Sequence, residues 1–120
     1  MRSRKNRQYY RAKYFAEVKA LNYPDGSQDK KSAKPMELII LNLSIDGVGV
    51  LSREDIKEGS IFTFTLYLGG IGHELMAYST FCIKLGEMYR VGLKLITPDN
   101  LFSAMLMEYI KSEKNSNEVF

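Results

Sequence analysis

Hydrophobic and polar positions alternate along most of this chain, and one stretch near the end changes to a helical period. Ala12, Tyr14, Ala16, Val18 and Ala20 share one face, with Arg11, Lys13, Glu17 and Lys19 opposite. A period of two over this length predicts a first strand. Leu21 to Pro35 reads as a long connection, with Tyr23-Pro24-Asp25-Gly26-Ser27 as its turn signal. Met36 to Leu43 is apolar on nearly both faces and predicts a central second strand. Asp46-Gly47 then suits a tight turn, and Val48 to Leu51 predicts a short third strand. Gly49 within it marks a bulge or a close approach by ligand or backbone. Ser52 to Gly59 reads as a polar loop long enough for a helical turn.

Ser60 to Leu68 alternates clearly, with Phe62, Phe64, Leu66 and Leu68 on one side. Gly69 to Gly72 ends this fourth strand in a hairpin-like turn. Leu75 to Leu85 predicts a long fifth strand, turned by Gly86-Glu87. Tyr89, Val91, Leu93 and Leu95 give the inward face of a sixth. Thr97 suits a helix N-cap, Pro98 the first helical position and Asp99 the positive end of the dipole. Leu101, Met105 and Tyr109, with Phe102, Leu106 and Ile110, form a stripe at helical spacing. Six strands with short turns and one terminal helix predict a small antiparallel barrel, whose closure removes exposed edges.

Charge divides the chain. Residues 1–13 hold Arg2, Arg4, Lys5, Arg7, Arg11 and Lys13 and no acid, while the remainder carries 11 basic against 14 acidic residues. The organisation expected is a basic arm over 1–10, disordered in its first eight residues when unbound. A barrel and helix over 11–112 and a polar tail over 113–120 follow. Such an arm implies an anionic partner or a solvated tail. The acidic body argues against a groove for single-stranded nucleic acid, although Tyr9, Tyr10 and Tyr14 beside arginines offer stacking groups. There is no apolar run long enough to span a membrane and no signal-like N-terminus. The single cysteine, Cys82, cannot form an internal disulfide, so a reducing, cytoplasmic setting is expected.

Chemistry is concentrated in two short patterns. Arg7 and Arg11 lie four residues apart, and a guanidinium is a planar fork that matches phosphate or the O6/N7 edge of guanine. Asn42-Leu43-Ser44-Ile45-Asp46-Gly47 closes an apolar strand in turn-forming polar residues. Taken alone, the first pattern is as readily a solvated arm, and the second a turn bonded to its own backbone. Alternation along a strand puts Asn42 and Ser44 on one face, and Gly47 suits a positive φ. His73 has no histidine or cysteine at ligand spacing, so a metal site is not expected. Cys82 reads as a small buried apolar residue. No nucleophile motif or phosphate-cradling glycine loop with lysine is present, so the chain does not read as an enzyme.

Arg-x-x-x-Arg followed by Asn-x-Ser-x-x-Gly resembles the PilZ domain, a bacterial receptor module for cyclic di-GMP, and the resemblance covers nearly the whole chain. It implies an all-β fold: a six-stranded antiparallel β-barrel with a C-terminal α-helix. It implies cyclic di-GMP as ligand, held by Arg7, Arg11, Asn42, Ser44 and Gly47, with no further cofactor. It also implies an effector protein as the partner that receives the signal. Asn6 stands where the family often carries another arginine. The alternative within the same fold is a protein-interaction module that binds no nucleotide.

Overall fold

The computed structural model describes residues 9–26 and 30–117. These residues form six strands: β1 (Ala12–Tyr23), β2 (Lys34–Leu43), β3 (Gly47–Ser52), β4 (Ile61–Leu68), β5 (Ile71–Leu85) and β6 (Met88–Leu95). One helix follows, α1 (Asn100–Asn117). The strands close into an antiparallel barrel in the order β1-β2-β3-β6-β5-β4. β1 runs three residues further than its alternation suggests, because Leu21, Asn22 and Tyr23 pair with Thr63, Phe62 and Ile61 and so close the barrel. The stretch after β3 holds no helix; a 3₁₀ turn lies at Lys30–Ser32 instead.

Alternation places Leu38, Ile40, Val48, Val50, Phe62, Leu66 and Val91 inside, each almost fully buried. The β4–β5 hairpin turns on Gly69 and Gly70, both at positive φ, so β5 begins at Ile71, earlier than the glycine run suggests. Two successive positive φ angles match the right-handed twist of the flanking strands and exclude most side chains. Helix α1 buries Phe102, Leu106 and Ile110 and lies against β1 and β4. Its cap is Asp99, not Thr97: the Phe102 N–H donates to Asp99 Oδ1 at 2.7 Å and Ser103 N–H to the Asp99 carbonyl at 3.0 Å. Thr97 instead adopts φ 37° in the linker. The helix continues past Ser112 to Asn117.

Three register shifts interrupt the ladders. One lies between Lys13 and Ala16 where β1 meets β2, one between Ile40 and Asn42 where β2 meets β3, and one between Ser79 and Phe81 where β5 meets β6. A one-residue slip moves every later side chain to the other face. Inward positions Met36, Leu38 and Ile40 therefore continue at Leu43, and Asn42 turns outward. On β5 the inward series Leu75, Ala77, Ser79 is broken at Thr80, and Phe81, Ile83 and Leu85 emerge on the outside. The Thr80 hydroxyl donates to the Gly92 carbonyl at 3.2 Å and ties this irregularity to β6.

Cys82 departs from its expected apolar surroundings, and His73 is buried on the same strand. His73 sits in β5, buried against the edge of Phe102 at 5.1 Å between ring centroids, and its Nε2 has no hydrogen-bond partner among the described residues. Cys82 is half-buried. Its Sγ accepts from Ile56 N–H at 3.4 Å and donates to Asp55 Oδ1 at 3.4 Å, and burial raises the thiol pKa.

Candidate functional site

The register shifts build one outward row of Cα partners across five strands: Lys13, Asn42, Gly49, Gly92 and Phe81. Two glycines at the centre leave a shallow floor between Asn42 and Phe81. Beside it runs a second row, Ile39, Leu51, Arg90 and Ile83. Arg90 leans from this row over Gly49. A Cβ on Gly49 would lie 2.7 Å from Arg90 Nη2, 2.9 Å from its Nη1 and 2.7 Å from Asn42 Oδ1. The close approach that a mid-strand glycine announces is therefore made by an arginine of the chain itself.

Arg11 enters from the other side. Its Nη1 donates to Asn42 Oδ1 at 3.4 Å. Asn42 thus stands between two guanidiniums, one exposed and one half-buried. Arg90 Nη1 also donates to the Val91 carbonyl at 3.1 Å, and its Cζ stands 6.0 Å from the Phe81 ring centroid. Burial lowers the Arg90 pKa, and the nearby Arg11 charge lowers it further. Arginine remains a cation at neutral pH. Among the described residues, neither guanidinium has a carboxylate within ion-pair distance. Two cations, one exposed and one half-buried, stand close together without a carboxylate partner among the described residues, and that arrangement favours an anionic guest.

The base of the Arg11 segment is anchored. The Tyr109 hydroxyl of α1 donates to the Lys13 carbonyl, and Tyr14 donates to the Tyr67 carbonyl at 2.6 Å. The two rings meet edge to face at 5.8 Å. Burial is the main cause that raises both tyrosine pKa values, so both hydroxyls stay donors at neutral pH. These bonds fix the backbone two residues after Arg11.

Ser44 and Gly47 take other positions. Ser44 is 1% exposed: it lies past the end of β2, where the chain enters the turn, so the alternation that puts Asn42 outward no longer governs it. Its hydroxyl donates to Asp46 Oδ1 at 2.9 Å and stands 3.4 Å from the Gly47 carbonyl, so it holds the β2–β3 turn. Gly47 is buried and its φ is not positive. It is small because β6 passes over it: a Cβ there would lie 2.5 Å from the Leu93 carbonyl oxygen. Arg7 lies outside the described residues. Arg11 and Asn42 are brought together. Arg90, Phe81 and Gly92 join them, and strand alternation alone does not single these three out. The available signal was a pair of mid-strand glycines, Gly49 and Gly92, which face each other once β3 pairs with β6.

Neither a family model nor a curated protein sequence matches the chain. Solved structures do match in fold. The inhibitor of motility MotI/DgrA of Bacillus subtilis aligns at TM-score 0.63 and 14% identity over 90% of this chain and 51% of its own. The PilZ domain of YcgR from Escherichia coli, solved with c-di-GMP, aligns at TM-score 0.62 and 13% identity over 92% of each chain. YcgR in complex with c-di-GMP aligns at TM-score 0.66 and 14% identity over 92% of this chain and 46% of its own. The fold is that of a PilZ domain: a closed six-stranded barrel with a C-terminal helix. The chain spans about half the length of MotI/DgrA and of YcgR.

Proposed function

We propose that this chain is a receptor for cyclic di-GMP that binds its ligand on the outward patch formed by Arg11, Asn42 and Arg90. The observation that carries the reading is the pair of guanidiniums that flank Asn42 without a carboxylate partner among the described residues. The ligand supplies what the patch lacks, two phosphate charges, and guanine edges that match an arginine fork or an asparagine amide. The solved YcgR neighbours hold c-di-GMP, which supports the same ligand on the same fold. Arg7 brings a further guanidinium from the basic arm. Ser44 and Gly47 act by setting the β2–β3 turn. The occupied patch then serves as the surface that an effector protein reads.

Calorimetric titration with cyclic di-GMP tests this, with Arg11→Ala beside the wild type. Wild-type binding is expected at a stoichiometry of one or two ligands per chain. Loss of a charged hydrogen-bond donor is expected to weaken it by roughly 10- to 150-fold. Absence of heat and of a thermal shift at high ligand concentration overturns the receptor reading. The interaction module without nucleotide, supported by Ser44 being buried and bonded within its own turn, would take its place.

A further inference from the structure

We propose that Phe81, laid across Gly92 beside Arg90, is a stacking shelf for a purine ring of the bound cyclic dinucleotide; the inference rests on the receptor reading and names how that site would hold a base. Three observations converge on it. First, the register shift at Thr80 turns Phe81 out of the barrel, although the inward series Leu75, Ala77, Ser79 points it in. The Thr80 hydroxyl on the Gly92 carbonyl holds that shift in place. Second, the ring takes the space a side chain on Gly92 would need. A Cβ there would meet Cδ2 at 2.8 Å and Cζ at 2.9 Å, with Cε2 nearer still. Three successive ring atoms at such similar distances describe a ring lying face-down on the sheet. Third, Phe81 remains 38% exposed, so part of it stays open to solvent, with Arg90 Cζ 6.0 Å from the ring centroid. It lies in the same cross-strand row as Asn42, two glycines away.

A flat π-face beside a guanidinium is what a nucleobase stacks on. Its contribution tolerates any base, because every base has a π-face. The shelf and the edge-reading groups therefore divide the work. Phe81 holds a ring plane, while Arg11, Asn42 and Arg90 read charge and edge. The competing account is that Phe81 merely covers a bare glycine across the strand pair and so stabilises the sheet. That account moves thermal stability and leaves ligand affinity alone.

The test uses the full chain with Phe81→Leu, which keeps an apolar cover on Gly92 and removes the π-face, and Phe81→Trp, which enlarges that face. Calorimetry with cyclic di-GMP is expected to show roughly 5- to 150-fold weaker binding for Phe81→Leu. Phe81→Trp is expected to bind at least as tightly as wild type. In proton NMR the guanine H8 signal should move upfield on binding to wild type through the ring current, and that shift should be lost with Phe81→Leu. Unchanged affinity in Phe81→Leu, or an H8 shift that persists in it, overturns the shelf and leaves the receptor standing. A wild type that takes up no cyclic di-GMP fails one step earlier and removes both.

Discussion

Gly47→Ala is expected to lower the unfolding free energy by about 3 kcal/mol, the upper end of the range for overpacking a tight site. For a domain of this size that corresponds to a fall of roughly 10 °C in melting temperature. The added methyl meets the Leu93 carbonyl oxygen at 2.5 Å, and that atom belongs to backbone rather than to a side chain that can swing away. Neither strand has room to retreat. β3 and β6 are paired from Gly47–Lys94 to Ser52–Tyr89, and the Leu95 N–H donates to the Asp46 carbonyl at 3.1 Å. Chemical denaturation of the variant measures the cost directly, and a loss below about 1 kcal/mol would show that the strands separate more easily than this packing implies. Gly49→Ala is the instructive contrast. The obstructing atoms there are the Arg90 guanidinium and the Asn42 amide oxygen. An arginine side chain can move, so the methyl should cost the fold little and displace the site instead. Both glycines lie in or beside the same motif, yet one variant should act through stability and the other through ligand affinity.

The two glycines also mark how far the sequence could be read. Alternation and short apolar runs bounded by turn residues located the six strands, and in β4 Phe62, Phe64, Leu66 and Leu68 repeat every two residues without exception. The helix was legible for the same reason at the other period: Phe102, Leu106 and Ile110 are buried as their spacing implies. A bulge has no such signature. Leu41 and Thr80 look like ordinary strand residues, yet each shifts the register, and Asn42 and Phe81 reach the outer surface only through those shifts. Of Asn42 and Ser44, expected together on one outward face, Asn42 is outward and Ser44 is buried in the turn beyond the end of β2. Arg90 stayed hidden because a polar residue on the outward face of a strand is what alternation leads one to expect. Its importance comes from Gly49, a partner brought alongside only by β3–β6 pairing. The N-cap was misplaced by two residues, since Thr97 and Asp99 are both good caps and only the backbone path through Pro98 decides between them.

Arg90→Ala is expected to weaken cyclic di-GMP binding by roughly 10- to 150-fold, the loss of one hydrogen bond to a charged group, while leaving the melting temperature of the unliganded protein unchanged or slightly raised. The two halves follow from one arrangement. Without an anion, Arg90 is held half-buried beside the like charge of Arg11, and both burial and that charge disfavour its cationic form. Removing the guanidinium relieves this repulsion and breaks no ion pair among the described residues; what it gives up is one hydrogen bond to the Val91 carbonyl, the contact with the Phe81 ring and the cover over Gly49. With a phosphate present the same proximity becomes favourable, since one anion can face both cations. Arg11→Ala and Arg90→Ala should then be non-additive in a double-mutant cycle on affinity, as groups that share a partner are. Arg90→Lys should not restore binding, because a compact ammonium on a flexible stem offers neither the fork nor the plane. Calorimetry on the four proteins of the cycle, with thermal melts in the absence of ligand, decides the matter. Wild-type affinity in Arg90→Ala would place the ligand away from Arg90 and return it to the role of a cover over Gly49, whereas strict additivity of the two losses would overturn the shared anion and give each guanidinium its own ligand group.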